Sequence, residues 1–114
     1  MSKSNTSENA TLDANLRAVD PSYRSNANRY IALHTADPGD AGTAVTSECA
    51  FGDYARVAVT AATGFTAAAA GSSSNTAQIS FPDCPRGSEL VTYASIVTPA
   101  SASGDIIYSD ALPA

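Results

Sequence analysis

The residues able to do chemistry are few and scattered. The chain holds one histidine, His34. A Ser-His-Asp arrangement would need it as general base, and serine and aspartate are so plentiful that a match on type alone carries little information. The strained Gly-x-Ser-x-Gly turn that presents a nucleophilic serine is absent from the sequence. His34 therefore reads as a strand-end histidine hydrogen-bonded to a loop. Cys49, Cys84 and His34 show neither Cys-x-x-Cys nor His-x-x-x-His spacing, so zinc is not expected. The cysteines read as two reduced, partly buried thiols, with a bridge between them left open. Asp37, Asp40 and Asp53 fall near one loop and could offer oxygens to calcium. The EF-hand spacing and its closing glutamate are missing, and turn-forming aspartates explain them better. No glycine-rich phosphate cradle is present. The sequence reads as that of a protein without an active site: no enzyme, no cofactor, no metal.

The elements that would hold these residues must be built from little apolar material. Of 114 residues, 44% are hydrophobic, but Ala supplies 23 and only 20 are Ile, Leu, Val, Phe or Met. A chain this short forms one domain and buries only about two-thirds of its unfolded surface. Such a thin core is expected to gain stability from partner subunits. The net charge of -5 argues against nucleic acid and anionic membrane surfaces, since the six basic residues are scattered and form no run. No stretch approaches the roughly 20 apolar residues of a spanning helix. The polar start, MSKSNTSENA, has no apolar signal segment, so the chain is expected to mature in the cytoplasm.

Residues 1–8 read as a flexible arm and residues 9–114 as a single domain. The spacing of Leu12, Leu16 and Val19 predicts a helix over residues 9–19, capped by Thr6 or Ser7 and stopped at Asp20-Pro21. Leu12 and Leu16 would pack it on the sheet. Strands are expected at Tyr30–Thr35, Tyr54–Thr60, Phe65–Ala70, Gln78–Phe81, Glu89–Val97 and Asp105–Ser109. Within Tyr54–Thr60, Val57 and Val59 would be buried, and Arg56 and Thr60 solvated. Turns fall at residues 36–40, where Pro38 and Gly39 set the backbone, and at residues 83–88. Residues 41–50 continue as a loop or short strand. Short strands after one helix give a mainly β fold, an antiparallel β-sandwich or partial barrel with one N-terminal helix. Five tyrosines and no tryptophan suit half-buried strands and subunit contacts; a carbohydrate-binding face would more often carry tryptophan.

The stretch Tyr30-Ile-Ala-Leu-His-Thr-Ala-Asp-Pro-Gly39 resembles the LHTADPG signature of small tailed-phage virion proteins, a family often labelled tail-fibre proteins. Tyr54–Val59, Asn75–Pro82, Val91–Val97 and the Ser103–Tyr108 segment resemble the family's later blocks in the same order. The resemblance covers roughly residues 9–112. It implies a virion structural protein, not an enzyme, assembled in the host cytoplasm. One placement is a capsid decoration (cement) protein that binds the outer head shell and reinforces contacts between subunits of the major capsid protein. The other is a tail, baseplate or tail-fibre-associated component that contacts tail proteins. Either would be a homo-oligomer, a dimer or trimer, since an open sheet edge invites a second chain. Inter-subunit contacts are expected from Ser2, Lys3, Asn5, Asp37, Pro38, Asp40, Ser101, Asp105 and Tyr108. A structural role is expected for Leu12, Leu16, Tyr30, Leu33, His34, Tyr54, Val57, Val59, Phe81 and Tyr93.

Overall fold

The computed structural model describes residues 2–82 and 89–113. Chain order gives strand β1 (Ser2–Lys3), helix α1 (Asn5–Arg17), then β2 (Asn28–His34), β3 (Val57–Thr60), β4 (Tyr93–Val97) and β5 (Ile106–Ala111). All five strands lie in one antiparallel sheet ordered β1-β5-β4-β2-β3. The fold is mainly β with a single N-terminal helix, as the punctuated sequence implies.

Two expected strands do not form. Phe65–Ala70 makes only isolated bridges, Phe65 to Asn75 and Ala69 to Ser72, and Gln78–Phe81 runs without ladder partners. Four consecutive alanines offer no side chain to pack on a sheet, so nothing there favours a second layer of strands. The expected turn at residues 83–88, with Cys84, lies outside the described residues.

Strand alternation decides what the sheet buries. By register, Tyr30, Ala32 and His34 of β2 share a face with Tyr93, Ser95 and Val97 of β4. On that face Ala32, His34, Ser95 and Val97 are buried. Pairing of β4 with β5 slips by one residue after Ile96–Tyr108, so that Val97 meets Ile106. This bulge inserts Ile107 and leaves two successive isoleucines buried, where a regular strand would expose one. The core cluster is Ala32, Ala44, Val97 and Ile106, with Tyr30 packed against it. Ala44 belongs to the 40–49 loop, which folds over this face: the Ala44 amide donates to the Gly104 carbonyl at 2.9 Å, and Thr43 bridges Asp105. The loop is entered through a tight turn. Asp37 Oδ1 accepts from the Gly39 amide at 2.9 Å, Gly39 has φ of 75°, and a Cβ on Gly42 would stand 2.0 Å from the Pro38 carbonyl oxygen.

The N-terminus departs from expectation. Residues 2–8 are not an arm: Ser2 pairs with Ser109 and Lys3 with Tyr108 at the sheet edge. The helix cap is Ser4, not Thr6 or Ser7; its Oγ accepts from the Ser7 amide at 3.1 Å and donates to the Ile106 carbonyl. The helix ends at Arg17 in a left-handed Ala18 (φ 54°), with the Val19 amide returning to the Asp13 carbonyl, three residues before the proline. Because the strand and cap fix where the helix starts, its phase is set before its leucines matter. Ser7 turns inward at 3% exposure, with Thr11 and Ala14 half-buried along the same row. Leu12, Leu16 and Val19 face solvent at 55%, 78% and 46%. The expected packing of Leu12 and Leu16 on the sheet is therefore reversed.

Candidate functional site

His34 stands at the end of β2, fully buried. Its Nδ1 lies 2.8 Å from the Thr46 carbonyl oxygen and its Nε2 lies 2.7 Å from Ser95 Oγ. A carbonyl only accepts, so Nδ1 carries the hydrogen, and in the neutral ring Nε2 then accepts from the Ser95 hydroxyl. The pair has the types of a nucleophile and its base, yet Ser95 is 1% exposed and the far ring nitrogen is held by backbone rather than by a carboxylate. A sealed hydroxyl reaches no substrate. The pair instead ties the 40–49 loop to β4 across the sheet. Among the described residues, no three His, Cys, Asp or Glu side chains converge as a metal site.

The densest polar arrangement centres on Arg56. The expectation of a solvated Arg56 is overturned: its side chain is 3% exposed. Nε donates to Glu48 Oε2 at 2.7 Å and Nη2 to Oε1 at 2.8 Å. Nη1 donates to the Pro99 carbonyl at 3.1 Å and Nη2 to that of Ala102 at 2.7 Å. Ala102 has φ of 63°, a conformation alanine rarely holds without such support. Glu48 also accepts from the Tyr54 hydroxyl at 2.6 Å, and that hydroxyl accepts from the Leu33 amide at 3.1 Å. The chain of bonds thus runs from β2, beyond the point where β3 covers it, to the β4–β5 loop. The Cys49 amide closes the same edge on the Leu33 carbonyl at 2.9 Å. Burial raises the Glu48 carboxyl, but hydrogen bonds from Arg56 and Tyr54 outweigh it and hold the group below the usual glutamate value. Burial and the bond to Glu48 push the Tyr54 phenol above its ordinary value. Burial, with the Glu89 and Glu48 carboxylates near, raises the Cys49 thiol, which leaves it a poor nucleophile.

The residues expected at inter-subunit contacts fall into two groups. Ser2, Lys3, Asn5, Asp40 and Tyr108 are brought together: Lys3 pairs with Tyr108, and the Asn5 amide donates to the Asp40 carbonyl at 2.8 Å. Asp37 is exposed beside them, while Pro38 is buried. Asp105 bridges Thr43, and Ser101 sits exposed in the loop that Arg56 holds. Of the residues expected to be structural, Tyr54 stacks on Phe81 (centroids 6.2 Å apart, 5° between planes) and meets Phe51 edge-on at 5.3 Å. Tyr93 pairs with His34, Leu33 joins the Tyr54 bond chain, Val59 is buried and Val57 half-buried. Sequence reasoning missed Arg56, Glu48, Ser95, Thr46 and Ser4. Only Arg56 left a signal, a lone charge in the apolar stretch 54–59.

Concavities among the described residues include a groove and a cleft. A groove follows edge strand β3 and the 76–80 segment. A smaller cleft of about 290 Å³ lies between Asn26, Ala27, Asn28 and Tyr30 on one side and Thr98 and Ala100 on the other. Among the described residues, no helix is long and apolar enough to cross a membrane.

No curated protein matches the chain. The model of one protein family does, and it spans residues 2–114: sheet, helix and both loops bound by Arg56 fall within it. The chain belongs to the family described as podophage GP4 fiber I protein gp80.

Proposed function

We propose that the chain is a non-catalytic structural subunit of a phage particle, a fibre-type component built into the particle through the outer face of α1. The observation that carries this reading is the exposed pair Leu12 and Leu16 on α1. Two leucines one helical turn apart stay in solvent, with Val19 exposed just past the helix end, while serine and alanine take the inward positions. An apolar row on an otherwise polar helix is a contact surface awaiting a partner. Family membership supports a fibre-type role, and the buried Ser95–His34 pair supports the absence of catalysis. The partner is a neighbouring tail protein. Copies of the chain associate as a dimer or trimer through the edge of β3, which among the described residues pairs in the sheet with β2 alone.

Decoration of the outer head shell, against the major capsid protein, is the second reading. Its support is the small, acidic domain (net charge -5), suited to many weak contacts acting together. Cryo-electron microscopy of purified particles separates the two. Density for this fold in fibres or at the tail is expected. A regular lattice of it on the head would replace the first reading with the second, and its absence from particles would overturn both.

A further inference from the structure

We propose that the cleft between the 26–30 segment and Thr98–Ala100 binds a neutral polyhydroxylated ligand, a saccharide. The proposal stands independently of where in the particle the chain resides. Four polar side chains line the cleft, Asn26, Asn28, Tyr30 and Thr98, and none is charged. Among the described residues, no protein group is hydrogen-bonded to the side-chain carboxamides of Asn26 and Asn28 or to the side-chain hydroxyls of Tyr30 and Thr98. Each carboxamide offers donors and an acceptor together, and each hydroxyl offers both. Vicinal hydroxyls on a sugar ring ask for that pairing, whereas a phosphate or carboxylate ligand asks for cations. The two arginines nearby are occupied elsewhere. Arg29 Nη1 donates to the carbonyls of Asn26 (3.0 Å) and Asn28 (3.3 Å), and its guanidinium lies 5.3 Å from the centre of the Tyr23 ring. Arg56 is held by Glu48 and by the Pro99 and Ala102 carbonyls.

Those same bonds make both walls stiff before any ligand arrives. On one wall the Asn26 amide donates to the Tyr23 carbonyl at 3.1 Å, and the Ala61 amide to the Ala27 carbonyl at 2.9 Å. On the other the Thr98 amide donates to the Asp105 carbonyl at 3.1 Å. A preformed wall spares the ligand the cost of ordering it. Tyr30, packed on the core cluster, gives the cleft a fixed aromatic side. Ala27 and Ala100 keep it open. The volume, about 290 Å³, is at the low end of small-molecule sites and suits one sugar ring or the end of a chain.

The test is protein-observed NMR on the full chain, titrated with glucose, galactose, N-acetylglucosamine and their β-linked oligomers, with glucuronate as the charged comparator. At least one neutral sugar is expected to shift the amides of residues 26–30 and 97–100, with an affinity of about millimolar. Tighter binding of an oligomer would identify a polysaccharide as the source, and equal binding a free sugar. Asn26→Ala alters an exposed side chain and leaves the carbonyl that Arg29 holds, so the fold survives. It should weaken binding about tenfold. Ala100→Phe, also at an exposed position, should abolish binding by filling the cleft, with circular dichroism unchanged in both variants. No shift with any neutral sugar, shifts with glucuronate alone, or binding unaffected by both variants would each overturn the proposal.

Discussion

Arg56 grips Glu48 through two parallel hydrogen bonds of 2.7 and 2.8 Å while only 3% of the arginine side chain meets solvent. At that burial the pair is more costly to break than to replace. Removing one partner leaves the other charge desolvated and alone, a loss of about 3–5 kcal/mol, whereas apolar residues of similar volume often restore stability. Arg56→Ala is therefore expected to lose about that much in urea denaturation, a large share of the roughly 5–15 kcal/mol that holds a domain together. The double variant Arg56→Met with Glu48→Leu should recover most of it. A loss below about 1 kcal/mol for Arg56→Ala would show that the pair is screened like a surface bridge.

The same pair sets an acid limit. The Glu48 carboxyl is held below its ordinary value in the folded chain, so its contribution is fully present above the unfolded glutamate value, about 4.3. As pH falls from there through the depressed folded value, the unfolded chain binds the proton first and that stability is lost. Glu48→Gln has no such proton to bind. The stability difference between wild type and Glu48→Gln, measured by thermal melts over a pH series, should be constant above about pH 5.5 and shrink below it. A constant difference down to the acid transition would show that the carboxyl is unshifted.

Much of the sheet was legible in the sequence, because β2, β4 and β5 carry the β-branched and aromatic residues that pack on a pleat. The Phe65–Ala70 segment was not, since small alanines neither require nor forbid a strand. The helix is legible as a helix, but its phase is not. The apolar spacing of Leu12 and Leu16 names the face that would be buried if packing alone decided, and here the Ser4 cap and the Ser2–Ser109 pairing decide first. Alternation alone puts Arg56 in solvent, because it cannot see the Pro99 and Ala102 carbonyls that approach from 43 and 46 residues away. The cleft was illegible for the same reason: Asn28 and Thr98 meet only across the sheet.

The Ser95–His34 contact makes a prediction about hydrogen placement. Thr46 offers only a carbonyl to Nδ1, so the neutral imidazole must be the Nδ1–H tautomer. Long-range ¹⁵N–¹H correlation spectra should show that tautomer, the less common one in free histidine. Ser95→Ala leaves the buried Nε2 without its donor and should cost about 1–3 kcal/mol. An Nε2–H tautomer would mean that the loop does not bond the ring as described.

The outer face of α1 separates assembly from stability. A buried leucine loses about 2–5 kcal/mol on truncation to alanine. Leu16, 78% exposed, and Leu12, 55% exposed, have little to lose in the isolated chain, and surface changes of this kind fall within about 0.5 kcal/mol. Leu12→Ser with Leu16→Ser should therefore leave the urea midpoint nearly unchanged. In particles assembled from the variant, copy number should fall, because the apolar area a partner would cover is gone and each lost methylene withdraws about 0.8 kcal/mol from the contact. Intact stability with full incorporation would direct assembly to another surface, the β3 edge first. Lost stability in the isolated chain would mean that the leucines pack inward after all, as their spacing suggests, and that the Ser4 cap does not set the helix phase.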